Sequence, residues 1–271
     1  MMLINGQPHD SVSALDRGLS YGDGLFETIR FEQGRAPLWP RHMQRLALGC
    51  ERLHMPAPDM ALLWQEAQQV TSTQPSCVLR VTITRGLGQR GYALPVPTSP
   101  TRIVAAFPLP VVSSDLYVHG VRLHLCRTTL ADQPLLAGIK HLNRLEQVLA
   151  RAEWNDPAIG EGLVCDSHGN VMSATAANLF AVVDGVAVTP AVDRCGVAGV
   201  ARAAMLEAFP DCQVRDVSLD EAMRASELFL SSSVRGILPV QAVGDTVYAP
   251  GPVARAMQQC WRELGFAVEC A

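Results

Sequence analysis

The stretch Phe107-Pro108-Leu109-Pro110, running on to Ser113-Ser114-Asp115, limits the possible folds of this chain more than any other. Two prolines in four residues remove backbone donors and stiffen the backbone, so no regular element runs through them. The strand and helix patterns restart on the far side. The chain therefore reads as residues 1–108, a linker over 109–118, and residues 119–271. In the first part, Asn5-Gly6 signals a type I′ hairpin. A second hairpin is expected from Phe26–Phe31 and Ala36–Trp39 across Gln33-Gly34-Arg35. Pro40 opens a helix with Met43, Leu46, Cys50 and Leu53 on one face. Asp59 caps another, with Met60, Leu63, Ala67 and Val70 inward. Leu79, Val81 and Ile83 alternate with polar neighbours as in a half-buried strand, and Arg102–Phe107 is a further strand.

In the second part, Val121, Leu123 and Leu125 alternate, and Asp184-Gly185 joins strands at Asn178–Val183 and Val186–Thr189. Ser218 to Glu221 is a capping box, and Pro252–Leu264 a closing helix stopped by Gly265. The fold class is α/β in two unequal domains, with no internal repeat. At 271 residues, 48% hydrophobic and 18% charged, the chain has ample core for this. Its net charge of -4 gives no footprint for nucleic acid, and no apolar run approaches a membrane span. The start, Met1-Met2-Leu3-Ile4-Asn5-Gly6, lacks the basic and long apolar regions of a signal peptide. Eight cysteines between Cys50 and Cys270 form no C-x-x-C pair, which fits reduced, buried thiols in the cytoplasm. The histidines show no ligand spacing, so no metal is expected.

The chemistry centres on Gly138-Ile139-Lys140-His141-Leu142-Asn143-Arg144-Leu145-Glu146. Leu142, Leu145, Leu149 and Ala152 have helical spacing, which puts Lys140 at the mouth of a helix in a chain with few lysines. A lysine held this way suits covalent chemistry through its amine, with a carbonyl substrate or with pyridoxal phosphate. On position alone the plainer reading is a solvated residue at a helix start. Gly86-Leu87-Gly88-Gln89-Arg90-Gly91 matches the dinucleotide pattern G-x-G-x-x-G. The following Tyr92-Ala93-Leu94-Pro95-Val96-Pro97 cannot form the helix that pattern requires, so a dinucleotide fold is excluded. Two guanidiniums on this loop, Arg85 and Arg90, suit a dicarboxylate, with Arg90 favoured because it lies between Gly88 and Gly91. A solvated hairpin tip is the plain alternative. Arg45, at the edge of its helix's apolar face, reads as a surface residue from spacing alone. The glycine loop Gly196–Gly199 leads into a short apolar helix whose first amides form an anion site. Ser231-Ser232-Ser233 places three hydroxyls after a buried strand.

Taken together, the Lys140 segment, the Arg85 to Tyr92 loop, Asp16-Arg17-Gly18, Tyr21-Gly22-Asp23-Gly24 and Ser231-Ser232-Ser233 resemble the 4-amino-4-deoxychorismate lyases. These are pyridoxal-phosphate enzymes of fold type IV, the group that also holds the branched-chain and D-amino-acid aminotransferases. The resemblance covers nearly the whole chain. It implies a smaller N-terminal α/β domain and a larger C-terminal pseudo-barrel-like domain. Lys140 would carry pyridoxal 5'-phosphate. Arg45, the amides of Val200 and Ala201, and Ser233 would hold its phosphate. Arg85, Arg90 and Tyr92 would bind the substrate. The implied reaction converts 4-amino-4-deoxychorismate to 4-aminobenzoate and pyruvate. The implied assembly is a homodimer with the Arg85 to Tyr92 loop near the other subunit's Lys140. One position departs from the pattern: Ser173 stands where these enzymes usually carry a glutamate against the pyridine nitrogen. A D-amino-acid or branched-chain aminotransferase and a non-catalytic pyridoxal-phosphate-binding protein are the alternatives.

Overall fold

The computed structural model describes residues 1–266; Cys270 lies outside the described residues. The chain folds into two compact units. One comprises Met1–Leu109 with Ile139–Asn143, the other Pro110–Gly138 with the chain from Arg144 onward.

In the first unit, β1 (Met2–Ile4) and β2 (Gln7–Pro8) form the expected hairpin, with Asn5 at φ 50° and Gly6 at φ 80°. The short helix α1 (Arg17–Tyr21) is capped by Asp16, and β3 (Gly24–Phe31) follows. Two helices, α2 (Trp39–Arg52) and α3 (Met60–Thr71), precede β4 (Cys77–Thr84) and β5 (Thr101–Phe107). The five strands form one antiparallel sheet, in the order β2-β1-β5-β4-β3. Leu79, Val81 and Ile83 point into the core as their alternation requires, and Asp59 accepts from Ala61 N and Leu62 N at the start of α3. The second hairpin does not form. Glu32 and Arg35 make a single bridge around Gln33 and Gly34, and Ala36–Leu38 run straight into α2. Pro37 and Pro40 cannot donate to a ladder there.

The segment Ile139–Asn143 belongs to this unit because it pairs with β3. Phe26 N donates to Lys140 O at 2.9 Å, and Leu142 N to Gly24 O at 3.0 Å. Lys140 thus lies on extended backbone, not at the mouth of a helix.

In the second unit, part of the expected linker is the helix α4 (Ser114–Val118), capped by Ser113. It is anchored because Tyr117 is buried and its Oη donates to Arg235 O at 2.8 Å. Then follow β6 (Val121–Leu125) and α5 (Leu145–Arg151). The face expected to turn inward on α5 does not: Leu145 is 76% exposed and Leu149 61%, while Ala150 is buried. Two turns present too little surface for spacing to fix which face packs. Next come β7 (Ile159–Cys165), β8 (Val171–Ala174), β9 (Asn178–Val183) and β10 (Val186–Thr189). The chain ends with α6 (Val200–Ala208), β11 (Gln213–Val214), α7 (Leu219–Met223), β12 (Glu227–Ser232), β13 (Gly236–Val243), β14 (Thr246–Val247) and α8 (Pro252–Glu263).

The sheet order is β11-β10-β9-β12-β13-β6-β7-β8, and a further β8–β9 pairing returns the last strand to the third. That closure makes the larger unit barrel-like. One face of this sheet packs an apolar core that includes Leu179, Ala181, Leu228 and Leu230. Phe180 and Phe229 alternate with these along β9 and β12 and stack on the other face at 5.3 Å between centroids. Ser218 accepts from Glu221 N at the start of α7, as the capping box requires. Among the described residues, no helix is long and apolar enough to cross a membrane.

Candidate active site

Lys140 is the only lysine in the sequence. Its Nζ lies 4.4 Å from the ring centroid of Phe26, on the strand its own segment pairs with. Side chains alternate along β3, so Glu27 turns the opposite way from Phe26, toward α2. There it meets two residues one helical turn apart. His42 Nδ1 lies 2.6 Å from Glu27 Oε2, and Arg45 binds both carboxylate oxygens at 2.8 and 2.5 Å. All three side chains are nine-tenths buried or more. Burial alone would raise the Glu27 pKa, but Arg45 and His42 outweigh it and hold the carboxyl at about 2. Burial pushes His42 down despite Glu27, with Arg45 and Lys140 adding to the fall. The imidazole is therefore neutral near pH 7, and it donates Nδ1–H because a carboxylate only accepts. Sequence spacing put Arg45 at the edge of α2. It gave no sign of Glu27 or His42, whose roles depend on the register between a helix and a strand.

The structure separates the two loop arginines. Arg85 is 2% exposed, with Nε on Asp23 Oδ2 at 2.7 Å and its two Nη groups on His54 O and Leu53 O at 3.0 and 2.6 Å. Its assignment to substrate is corrected: the guanidinium is used up in tying the loop base to the end of α2. Burial raises the Asp23 pKa, but Arg85 and Arg17 outweigh it and pull it below the ordinary carboxylate value. Arg90 and Tyr92 remain exposed at the loop tip, with the Tyr92 ring 5.6 Å from that of Tyr21. The glycines serve a bend and not a helix: Gly86 and Gly91 have φ of 84° and 113°.

In the second unit, Val200 and Ala201 open α6 behind Gly199, and no side chain caps that helix. A Cβ on Gly199 would collide with Asn178 Oδ1, while Asn178 Nδ2 holds Val197 O at 2.9 Å. The bend at Gly196 (φ 81°) is fixed by Gly138, which donates to Gly196 O at 3.1 Å and accepts from Ala198 N at 3.0 Å. Uncapped amides behind an obligatory glycine suit an oxyanion. At the end of β12, Ser231 Oγ is buried without a hydrogen-bond partner, Ser232 Oγ accepts from Arg235 N at 3.0 Å, and Ser233 is half-buried. Such neutral donors, with one buried hydroxyl unpaired, match the chemistry of a phosphate group.

Ser173 is half-buried on β8, opposite Val164 and Asn178. Asp166 is no substitute acid. Its carboxylate accepts from His168 N, Asn170 N and Arg194, closing the β7–β8 turn. The acid that sequence reading missed is Glu161, 4% exposed on β7. It accepts from Thr175 Oγ1, from Ala176 N at 3.1 Å and from Arg235 at 2.8 Å. It thereby holds the loop that follows Ser173.

A family model for class IV amino-transferases matches residues 24–243, most of the chain. The chain belongs to this family. An aminodeoxychorismate lyase of Vibrio harveyi is 35% identical over 247 residues, covering 90% of this chain and 91% of that protein. The crystal structure of a 4-amino-4-deoxychorismate lyase from Pseudomonas aeruginosa superposes with a TM-score of 0.92. That match has 45% identity and covers 97% of this chain and 98% of that one. A branched-chain amino acid aminotransferase from Escherichia coli shares the fold at a TM-score of 0.85 but is only 24% identical, covering 99% and 96% of the two chains. Within the class IV family, this chain is thus similar to the lyases over nearly its full length.

Proposed function

We propose that this protein is a pyridoxal-phosphate-dependent lyase that converts 4-amino-4-deoxychorismate to 4-aminobenzoate and pyruvate. The observation that carries the reading is Lys140: the only amine-bearing side chain in the sequence, pinned by main-chain pairing to β3, the strand that also carries the buried Glu27 of the Glu27–His42–Arg45 cluster. Similarity to two lyases over nine-tenths of the chain or more supports it.

The residues fit the cofactor. Arg45, the amides of Val200 and Ala201, and Ser233 would hold its phosphate, and Lys140 its carbonyl carbon. When bound, the cofactor supplies an electron sink for charge developing at the substrate's amine-bearing carbon. This chain's own groups do the rest. Arg90 and Tyr92 orient the two carboxylates of the substrate. Lys140 Nζ takes the proton from the substrate C4 and returns a proton as pyruvate leaves, which is worth roughly 10²–10⁴-fold in rate. The product ring is aromatic, so the chemistry asks less of the electron sink. A neutral Ser173 in place of an acid is compatible with that. A transaminase, which must hold the developing charge longer, would lose more.

We infer a homodimer in which the Arg90–Tyr92 tip of one copy serves Lys140 of the other. Exposed Leu19, Leu87 and Tyr92 give the first unit an apolar surface that suits this. The free cysteines among the described residues suit the cytoplasm. The test is incubation of the holoenzyme with enzymatically generated aminodeoxychorismate. Release of 4-aminobenzoate without an added keto acid supports the lyase. Turnover only with an amino-acceptor pair would move the assignment to a transaminase.

A further inference from the structure

We propose that Tyr21 and Arg17 are positioning residues for substrate recognition, latching the Arg85 to Tyr92 loop so that its tip meets the substrate carboxylates in one fixed geometry. This rests on the reading of Arg90 and Tyr92 as substrate-binding groups. The key residue is Gly91, which lies between them. Both of its main-chain hydrogen-bonding groups are held by side chains of α1. Gly91 N donates to Tyr21 Oη at 3.0 Å, and Arg17 Nη1 donates to Gly91 O at 2.9 Å. Gly91 has φ 113°, and among the described residues no atom beyond its immediate chain neighbours lies within 4 Å of where a Cβ would sit. Glycine is therefore required for backbone shape and not for space.

The latch is itself anchored. Arg17 is 4% exposed, binds Asp23 Oδ2 through Nε at 2.9 Å, and lies 4.8 Å from the Tyr21 ring centroid. Its stem fills the space beside Gly88, where a Cβ would come within 2.7 Å of Arg17 Cδ. The same Asp23 oxygen accepts from Arg85, which is bolted to Leu53 O and His54 O. Contacts thus run unbroken from a buried ion-pair network to an exposed tip. The outer end of the loop has few main-chain bonds of its own. Without the latch, Arg90 and Tyr92 would have to be ordered when substrate binds, and that cost would weaken binding. Two side chains gripping both polar groups of one half-buried glycine are more than a solvated hairpin tip needs.

The experiment compares holoenzyme variants Tyr21→Phe, Arg90→Ala and the double variant in steady-state lyase turnover. Hydrogen exchange is followed on peptides spanning residues 86–94. Tyr21→Phe keeps the ring contacts and removes only the acceptor, so the fold is preserved. We expect KM to rise about fivefold to tenfold, the effect of one lost hydrogen bond, with kcat within about twofold. Amides around Gly91 should exchange faster, and cofactor affinity should not change. In the Arg90→Ala background, Tyr21→Phe should raise KM clearly less than in the wild type, because Tyr21 acts through Arg90 as well as through Tyr92. Multiplying effects in the double variant, or an unchanged KM in Tyr21→Phe while Arg90→Ala raises it, overturns the latch. An unchanged KM in Arg90→Ala, with faster exchange in Tyr21→Phe, instead removes the substrate reading on which the latch rests. Absence of any lyase turnover in the wild type marks failure of the functional assignment itself.

Discussion

In the first unit, charged groups meet charged groups under cover: Arg45 on Glu27, Arg17 and Arg85 on Asp23, Arg102 on Glu66. In the second, the candidate anion site is built from main-chain amides at the start of α6 and hydroxyls at the end of β12. The two designs respond differently to change. A buried carboxylate with an arginine partner titrates, and it punishes removal of either member. Amides and hydroxyls do not titrate below pH 8, and losing one costs only its own bond. On the proposed assignments, the first unit would combine stability with function in the same residues, while the second would keep its candidate anion-binding groups apart from its charged pairs.

The largest expected effect is at Lys140, proposed above as the reacting amine and held by its backbone rather than its side chain. Lys140→Ala should reduce lyase turnover by at least about a thousandfold, since nucleophile and proton carrier go together. Its segment is held by main-chain bonds, so the melting temperature of the apoprotein should be little changed. Borohydride reduction of the wild type should fix the cofactor on the peptide containing Lys140. In a chain with one lysine, the only competing amine is the N-terminus. Label there, and none on Lys140, would sink the assignment.

Next is Glu27→Gln, which breaks a buried pair and should destabilise the protein by about 3–5 kcal/mol in denaturant unfolding. The pH dependence sharpens the point. Glu27 has a depressed folded pKa of about 2 against an ordinary 4.5. Its stabilising contribution is complete above about pH 4.5 and is lost as the pH falls from there toward 2. His42 is also depressed in the folded state. Below pH 6.5 the unfolded chain takes up that proton first, so stability again declines on acidification. Wild-type stability should therefore fall continuously from pH 6.5 downward, and Glu27→Gln should flatten the part below 4.5. An unchanged acid limb in the variant would mean that Glu27 does not carry it.

These residues show why some of the molecule was legible in the sequence and some was not. Alternation found β4 because Leu79, Val81 and Ile83 need no knowledge of their neighbours to face inward. Asn5-Gly6, Asp184-Gly185 and Asp59 were legible for the same reason: turns and caps are decided within four residues. Lys140 stood out by chemistry, though its setting was misplaced, because main-chain pairing to β3 leaves no periodic trace. Arg85 and Arg90 look alike on a glycine-rich loop. Only the carbonyls of Leu53 and His54, some thirty residues earlier, make one a bolt and leave the other exposed. Tyr21 and Gly91 are 70 residues apart.

A smaller effect tests the contrast directly. Arg45→Ala and Ser233→Ala each remove a hydrogen bond proposed to reach the cofactor phosphate, worth about 1.5–3 kcal/mol, or roughly 10- to 150-fold in cofactor dissociation constant. If the two units differ as described, only Arg45→Ala should also lower apoprotein stability, because it strands Glu27. Equal destabilisation by both variants would erase the distinction, and an unchanged dissociation constant in both would refute the phosphate assignment.

The smallest effect concerns Ser173, where the second unit offers a neutral hydroxyl at a position the family usually gives to an acid. If Ser173 faces the ring nitrogen of bound cofactor, as the resemblance implies, that nitrogen would lack an acid partner there and the reaction would lean on aromatisation of its product. Ser173→Glu introduces a carboxylate that would raise the nitrogen's pKa by opposite-charge stabilisation. The electron sink should strengthen, and charge should persist longer on the cofactor. Side transamination with D-alanine should then increase by a few-fold, read as faster loss of the cofactor's visible absorbance, while lyase turnover stays level or falls. Burial limits the gain, since Ser173 is half-buried and some of the new charge will be desolvated at a cost. If the variant instead gains substantial lyase activity with no added transamination, the wild-type reaction was limited by its electron sink. Product aromaticity is then not what makes a serine acceptable at this position.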